Sequence, residues 1–227
     1  MKITYIHHSS FSVELDKCTL LFDYFQGKLP KFDKNKKLYV FSSHSHHDHF
    51  NESIFKLQKI HPDITYILSD DIKVLKSENK KFIGANEKII IDNLEIKTLE
   101  SSDLGVAFIV KTENKTIYHA GDLNWWYWDG ENSPKENKFA ENKFKNAVNK
   151  IRGKNIDLAF LPLDNRQGEK YYLGFDYFMR NTNTKLAFPM HFFGPISLIK
   201  TFKNSTYALN YNDKIMEISH DGEEFIL

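Results

Sequence analysis

The chain has 227 residues, enough to bury a sizeable core, and its 41% apolar and 27% charged residues make a globular rather than a disordered composition. A formal net charge of +1 excludes the strong positive field of a protein held to nucleic acid by electrostatics alone, and no apolar run approaches the ~20 residues of a membrane span. The lone cysteine, Cys18, leaves no intramolecular disulfide, and the N-terminal MKITYIHHSSF lacks a signal peptide's apolar stretch, so the expected setting is a reducing cytoplasm.

The loose alternation of Ile3 to Leu15 and the β-branched and aromatic run Thr19 to Phe25 predict two strands around a turn at Asp16–Lys17, with Cys18 an inert residue beside it. Lys37 to Ser42 is a short buried strand that ends in a histidine cluster. Asn51 caps a helix over Glu52 to Ile60, with Ile54, Leu57 and Ile60 on one face. A strand at Thr65 to Leu68 and a short helix at Asp71 to Lys76 follow. Two strand pairs come next, around Asp92–Asn93 and Glu113–Asn114. The texture then changes. Ser133–Pro134 starts a helix, a capping hydroxyl followed by proline, and Ala140, Phe144, Ala147, Val148 and Ile151 recur at helical spacing. Ile156 to Leu163 and Lys185 to Pro189 are strands, Phe175 to Arg180 and Ile196 to Phe202 helices, and Lys214 to Leu227 a final hairpin. No Pro/Gly/Ser-rich linker divides the chain, so one domain over residues 1–227 is expected.

The chemistry concentrates in SSHSHHDHF, where His44, His46, Asp48 and His49 lie within six positions directly after a strand. Neutral imidazoles are the commonest side-chain metal ligands and a carboxylate adds charge to the same site. On a loop, His44 and His46 can face one ion while Asp48 and His49 face a second.

His44-Ser-His46-His-Asp48-His49 resembles the His-x-His-x-Asp-His motif of the metallo-β-lactamase-fold metallo-hydrolases. TIYHAGD, with Asp122, resembles that family's Gly-Asp pair after a strand, and AFPMHF, with His191, its last histidine. IHHSSF, with His8, and LLFDYF are similar to its opening segments, which implies that His8 approaches the metal centre. The branch it looks nearest to contains the L-ascorbate-6-phosphate lactonase and related hydrolases. The resemblance implies a mixed α/β, four-layer αββα sandwich with metals at one edge, on loops following strands. It also implies that His44 and His46 hold one metal, that Asp48, His49 and His191 hold another, and that Asp122 bridges them. Zinc is the expected ion, one or two, with manganese or iron as alternatives, and Asp48 and His191 are the expected catalytic residues.

One departure matters. The family's third histidine for the first metal is missing, since no histidine lies between His61 and His119. In its place stands TLESSDLGVAF, where Ser102 or Asp103 can substitute as ligand, or Asp103 can cap a turn before Gly105. His61 and His220 read as surface residues, His47 as exposed or supporting, and His119 as core. His8, Asn124, Trp125, Trp126 and Trp128 are the candidate substrate-lining residues, with at least one of the three tryptophans expected in the cleft.

The expected function is hydrolysis of an ester-type bond (a lactone, phosphate ester or phosphodiester) in a small-molecule substrate, by a metal-activated water. Two alternatives stand beside it. One is a nuclease, motivated by seven basic against three acidic residues between Glu131 and Lys154, although the overall charge disfavours nucleic acid as partner. The other is a catalytically impaired sensing module, motivated by the missing histidine. Nothing points to a membrane partner, and the oligomeric state is open.

Overall fold

The computed structural model describes residues 1–227. Two mixed sheets carry the architecture. The first has seven strands: β1 (Lys2–His7), β2 (Ser10–Glu14), β3 (Cys18–Phe22), β4 (Lys37–Ser42), β5 (Ile64–Ser69), β6 (Lys80–Ile83) and the last strand, β13 (Glu224–Ile226). Its order is β13-β1-β2-β3-β4-β5-β6. The second has β7 (Lys88–Ile91), β8 (Leu94–Glu100), β9 (Val106–Thr112), β10 (Lys115–His119), β11 (Asn155–Pro162) and β12 (Asn183–Met190), in the order β12-β11-β10-β9-β8-β7.

The sheets face each other through aromatic side chains. Phe11 of β2 meets Phe160 of β11 with ring centroids 4.3 Å apart, and Phe41 of β4 meets Phe108 of β9 at 5.2 Å. These rings belong to one continuous core of 47 buried residues. Helix α1 (Pro134–Asn149) and helix α2 (Leu173–Asn181) cover the outer face of the second sheet, with Phe144, Ala147 and Val148 of α1 and Phe175 and Phe178 of α2 joined to that core. On the outer face of the first sheet, Leu38, Val40, Tyr66 and Leu68 form a smaller cluster with Ile54 and Leu57. The cover there is a 3₁₀ segment, Glu52–Lys59, so the helix expected at that place is present in its tighter form. The result is the expected layered α/β sandwich. A further helix, α3 (Leu198–Lys203), packs through Ile199 and Phe202, and no helix is long and apolar enough to cross a membrane.

Several local expectations change. Ile3 to Leu15 is two strands rather than one, because the chain turns at His8–Ser9 with His8 at φ +54°. Asp71 to Lys76 is irregular; Ile72 alone is buried there, and one apolar anchor does not hold a helix. The C-terminal segment makes no hairpin: Ile215 bridges Ala187 and β13 pairs with β1. Ile60 is exposed, whereas His61 is buried with Nε2 3.2 Å from the Asp33 carbonyl oxygen. Cys18 opens β3, and burial, then the Glu113 charge, pushes its thiol up to about 12, so it is unreactive. Helix α1 begins as its sequence dictates, with Ser133 and Glu136 forming a reciprocal capping box around Pro134.

Candidate metal centre

Strands β1, β3 and β4 run in one direction in the first sheet, and β10, β11 and β12 run parallel in the second. A polar residue follows the C-terminal end of each within three positions: His8, Asp23, His44, Asp122, Asp164 and His191. The six strand ends therefore deliver these side chains to one edge of the sandwich. The histidine loop itself continues from β4 through His46, Asp48 and His49.

Asp122 lies at the centre. Its Oδ2 is 3.3 Å from His44 Nε2, and its Oδ1 is 3.1 Å from both His49 Nε2 and His191 Nε2. Asp48 Oδ2 is 4.0 Å from both of the latter nitrogens and 3.5 Å from His8 Nε2. Two sets of converging donors result, one of His44, His46 and Asp122, the other of His8, Asp48, His49 and His191. The Nε2 atoms of His8, His44, His49 and His191 and Oδ1 of Asp122 are buried and make no hydrogen bond. Buried polar atoms left unpaired are costly. Atoms that approach within about 3 Å yet are misaligned for hydrogen bonding are placed as co-ligands of an ion are, and the residues fit one.

The far edges of these rings are held. His49 Nδ1 lies 2.8 Å from Asp23 Oδ2, His44 Nδ1 lies 2.9 Å from Ser43 Oγ, and His191 Nδ1 lies 3.3 Å from Asp164 Oδ2. Asp23 also accepts from the Ser43 backbone N–H and hydroxyl, and the Arg166 guanidinium donates to Asp164. Such supports orient imidazoles toward a metal and raise their basicity. Burial alone would raise the Asp122 carboxyl, but the His49 and His191 rings outweigh it and hold the group well below its usual range. Burial likewise opposes protonation of His191, and Asp122 and Asp164 overcome it, pushing the ring up to about 9. Asp48 is lowered against burial by His8 and His49.

The glycine of the Gly-Asp pair has a packing reason. Gly121 sits at φ +51°, and a Cβ there would lie 2.7 Å from Ser43 Cβ. At Gly105, with φ +68°, a Cβ would collide with the Ser43 carbonyl oxygen, leaving no room for a side chain.

Outward from the donors opens a cavity of about 540 Å³, whose wall includes His46, Asp48, Asp103, Asp122 and His191 together with Trp126, Trp128, Arg166 and Phe193. Trp126 and Trp128 stack at 5.7 Å with planes 4° apart, and the Arg166 guanidinium lies 3.5 Å from the Phe193 ring centroid. Trp126 also donates from Nε1 to the Asp122 carbonyl oxygen at 3.0 Å.

Three expected lining residues sit elsewhere. Asn124 is buried, its amide donating to Gln167 Oε1, and Trp125 packs against the core beneath the Lys145 ammonium. Regular backbone cannot turn Asn124, Trp125 and Trp126 to one side at once, and Trp126 took the cavity side. His8 is buried behind His191, with the donors rather than on the substrate wall. Ser102 spends its hydroxyl on the carbonyls of Asn124 and Asp122, whereas Asp103 Oδ2 stands 3.9 Å from His46 Nδ1. His119 is core, its ring stacked on Phe22 and its Nε2 2.9 Å from the Ser9 carbonyl oxygen. Asp23, Asp164, Arg166 and Phe193 join the site without a role expected from the sequence. Asp23 was within reach, as the polar residue ending a buried run in LLFDYF; the others carry no local pattern.

Comparison with known proteins agrees with this geometry. The family described as the beta-lactamase superfamily domain matches residues 2–129, which contain the histidine loop and Asp122. A UPF0173 metal-dependent hydrolase of Nanoarchaeum equitans is 29% identical over 210 residues, covering 85% of this chain and 84% of the relative. A second, from Opitutus terrae, is 25% identical over 215 residues, covering 85% of each. Among solved structures, Igni18, a metallo hydrolase from Ignicoccus hospitalis, superposes with a TM-score of 0.67 at 17% identity, over 100% of this chain and 98% of that one. The metallo-beta-lactamase fold protein YhfI from Bacillus subtilis does so at 0.65 and 16%, over 99% and 98%. At such identities the superpositions speak for the fold, and the family match for descent. The chain belongs to the beta-lactamase superfamily and has its metallo-β-lactamase fold.

Proposed function

We propose that the protein is a metal-dependent hydrolase that cleaves an ester-type bond of a small molecule, a lactone, phosphate ester or phosphodiester. The observation that carries this reading is the convergence of unpaired buried donors around Asp122 at the floor of an open cavity. His44, His46 and Asp122 would hold one ion, and Asp48, His49 and His191 with Asp122 another. Zinc suits the imidazole and carboxylate donors best, with manganese or iron also compatible. An ion held there lowers the pKa of its water toward neutrality and polarises the oxygen of the bond under attack. Asp48 borders the cavity, where its carboxylate would orient water or shuttle its proton. The Trp126–Trp128 stack and the Arg166–Phe193 pair line the cavity together, with the guanidinium 5.7 Å from the Trp128 ring, and would select a substrate by shape and charge. The relatives named as metal-dependent hydrolases support the reaction class.

The test is metal content after purification in chelator-free buffer, followed by turnover of model lactones, phosphomonoesters and phosphodiesters. Bound transition metal that is lost in His46→Ala, with turnover of one substrate class, is the expected result. A wild-type protein that binds no transition metal refutes the proposal.

A second reading, cleavage of single-stranded RNA or DNA, draws on α1. Asn132 and Ala140 border the same cavity, and Lys143 Nζ reaches the Asp103 carbonyl oxygen at 3.5 Å. Salt-dependent RNA binding would favour it, and its absence would leave the small-molecule reading alone.

A further inference from the structure

Granting the metal centre proposed above, we propose that its two positions are unequal in this chain. His8 is an added donor that makes the Asp48–His49–His191 position the tight one, and the His44–His46 position is open and exchangeable.

His8 is buried, 6% exposed, and its Nε2 has no hydrogen-bond partner. That atom points at Asp48 Oδ2, 3.5 Å away, and the His8 ring lies 4.4 Å from that of His191. The donor atoms of His8, Asp48, His49 and His191 all lie within 4.8 Å of one another. A small contraction brings such a set onto a common ion with bonds of about 2.0–2.2 Å. Asp122 Oδ1 adds a fifth donor from the other side.

The placement of His8 is built, not incidental. Its backbone occupies the left-handed region at φ +54°, and so does that of His191 at φ +61°. Positive φ is uncommon outside glycine, histidine being among the residues that adopt it more readily, and here specific contacts hold both. The His8 N–H donates to the Tyr5 hydroxyl at 2.9 Å, and the His191 N–H donates to the His8 carbonyl oxygen at 3.3 Å. The two strained histidines are thereby tied together, rings facing the same set of atoms.

The other position is poorer. His44 is fully buried, but the His46 side chain is 46% exposed and Asp122 is shared. Asp103, where a third strong ligand would stand, is half exposed and 3.9 Å from His46. Ser102 cannot help, since its hydroxyl is committed to backbone carbonyls. A closed, dry, supported donor set binds more tightly and exchanges more slowly than an open one.

The experiment titrates the metal-depleted full-length protein with Co²⁺, followed by visible absorption, and with Zn²⁺, followed by calorimetry. Two resolved phases are expected. His8→Asn, chosen because asparagine tolerates a positive φ, weakens the first phase by ~10-fold or more and spares the second. Asp103→Ala changes only the second. X-ray absorption of the wild type carrying one equivalent of zinc needs no variant, and three imidazoles in the first shell are expected. Two imidazoles, two phases of equal affinity, or a first phase unchanged in folded His8→Asn would overturn the inference while leaving the hydrolase reading intact. Failure to bind any ion would overturn both.

Discussion

Asp23, one residue past the end of β3, meets the Nδ1 edge of His49 at 2.8 Å, and both side chains are completely buried. The same carboxylate accepts from the Ser43 N–H at 2.7 Å and the Ser43 hydroxyl at 2.6 Å, so it ties together the two ends of the histidine loop. Asp23→Asn keeps the volume but replaces a charged acceptor by an amide. The expected outcome is a folded protein whose metal affinity falls ~10–100-fold, read by chelator competition. Unchanged affinity would mean that the loop positions His49 without it.

Gly105 and Gly121 flank Ser43 on two sides. Gly105→Ala introduces both a disfavoured backbone conformation and a clash with the Ser43 carbonyl. The expected loss is about 2–4 kcal/mol, measured by denaturant unfolding of the metal-depleted protein. At Gly130, also at positive φ but with open space around it, the same change meets no clash and should cost less.

Ion uptake should depend on pH in a defined direction. His191 is raised to about 9 in the ion-free protein, because Asp122 and Asp164 outweigh burial. The imidazolium contacts therefore stabilise the ion-free fold fully below the ordinary histidine value of ~6.5, and that stabilisation is lost as pH rises through about 9. An ion needs the unprotonated nitrogen, so its affinity should rise from pH 6 toward 9, with proton release at neutral pH. Calorimetry in buffers of different ionisation enthalpy measures that release; none at pH 7 would contradict the charge assignment.

Trp128 lines the cavity and stacks on Trp126, and it is the Trp126 indole that donates to the Asp122 carbonyl oxygen. With a substrate identified, Trp128→Ala should raise KM and leave metal content unchanged. Trp126→Phe should lower kcat as well, because it releases Asp122. Steady-state kinetics beside metal analysis separates the two; equal effects would give both indoles one role and remove the part assigned to the Trp126–Asp122 hydrogen bond.

The local code was readable where one short stretch carries its own physics. The histidine loop after an apolar run, the Ser133–Pro134 cap and the turns at Asp92–Asn93 and Glu113–Asn114 are of this kind, and β7 to β10 follow from those turns. Failures came where a partner distant in sequence decided. Residues 214–227 contain hairpin-like alternation, yet β13 pairs with β1 because that edge offers free backbone donors and acceptors. His61 looks superficial in IHPD but is buried against Asp33. Asp164 and Arg166 lie in an unremarkable loop, and only the parallel register of β11 with β12 sets Asp164 beside His191.

By itself, the sequence determined which residue types could hold an ion: His44, His46, Asp48 and His49 are set by six adjacent positions of one loop, and Asp122 by the resemblance of its Gly-Asp pair to the family's. The tertiary structure decided how the donors divide. His8, Asp122 and His191 come from three strands far apart in the chain, and only the packing of two sheets on a common core brings their ends to one edge. Whether His8 faces a substrate or an ion is a matter of which way one strained backbone turns, and that is fixed by contacts to Tyr5 and His191 rather than by any neighbour in sequence.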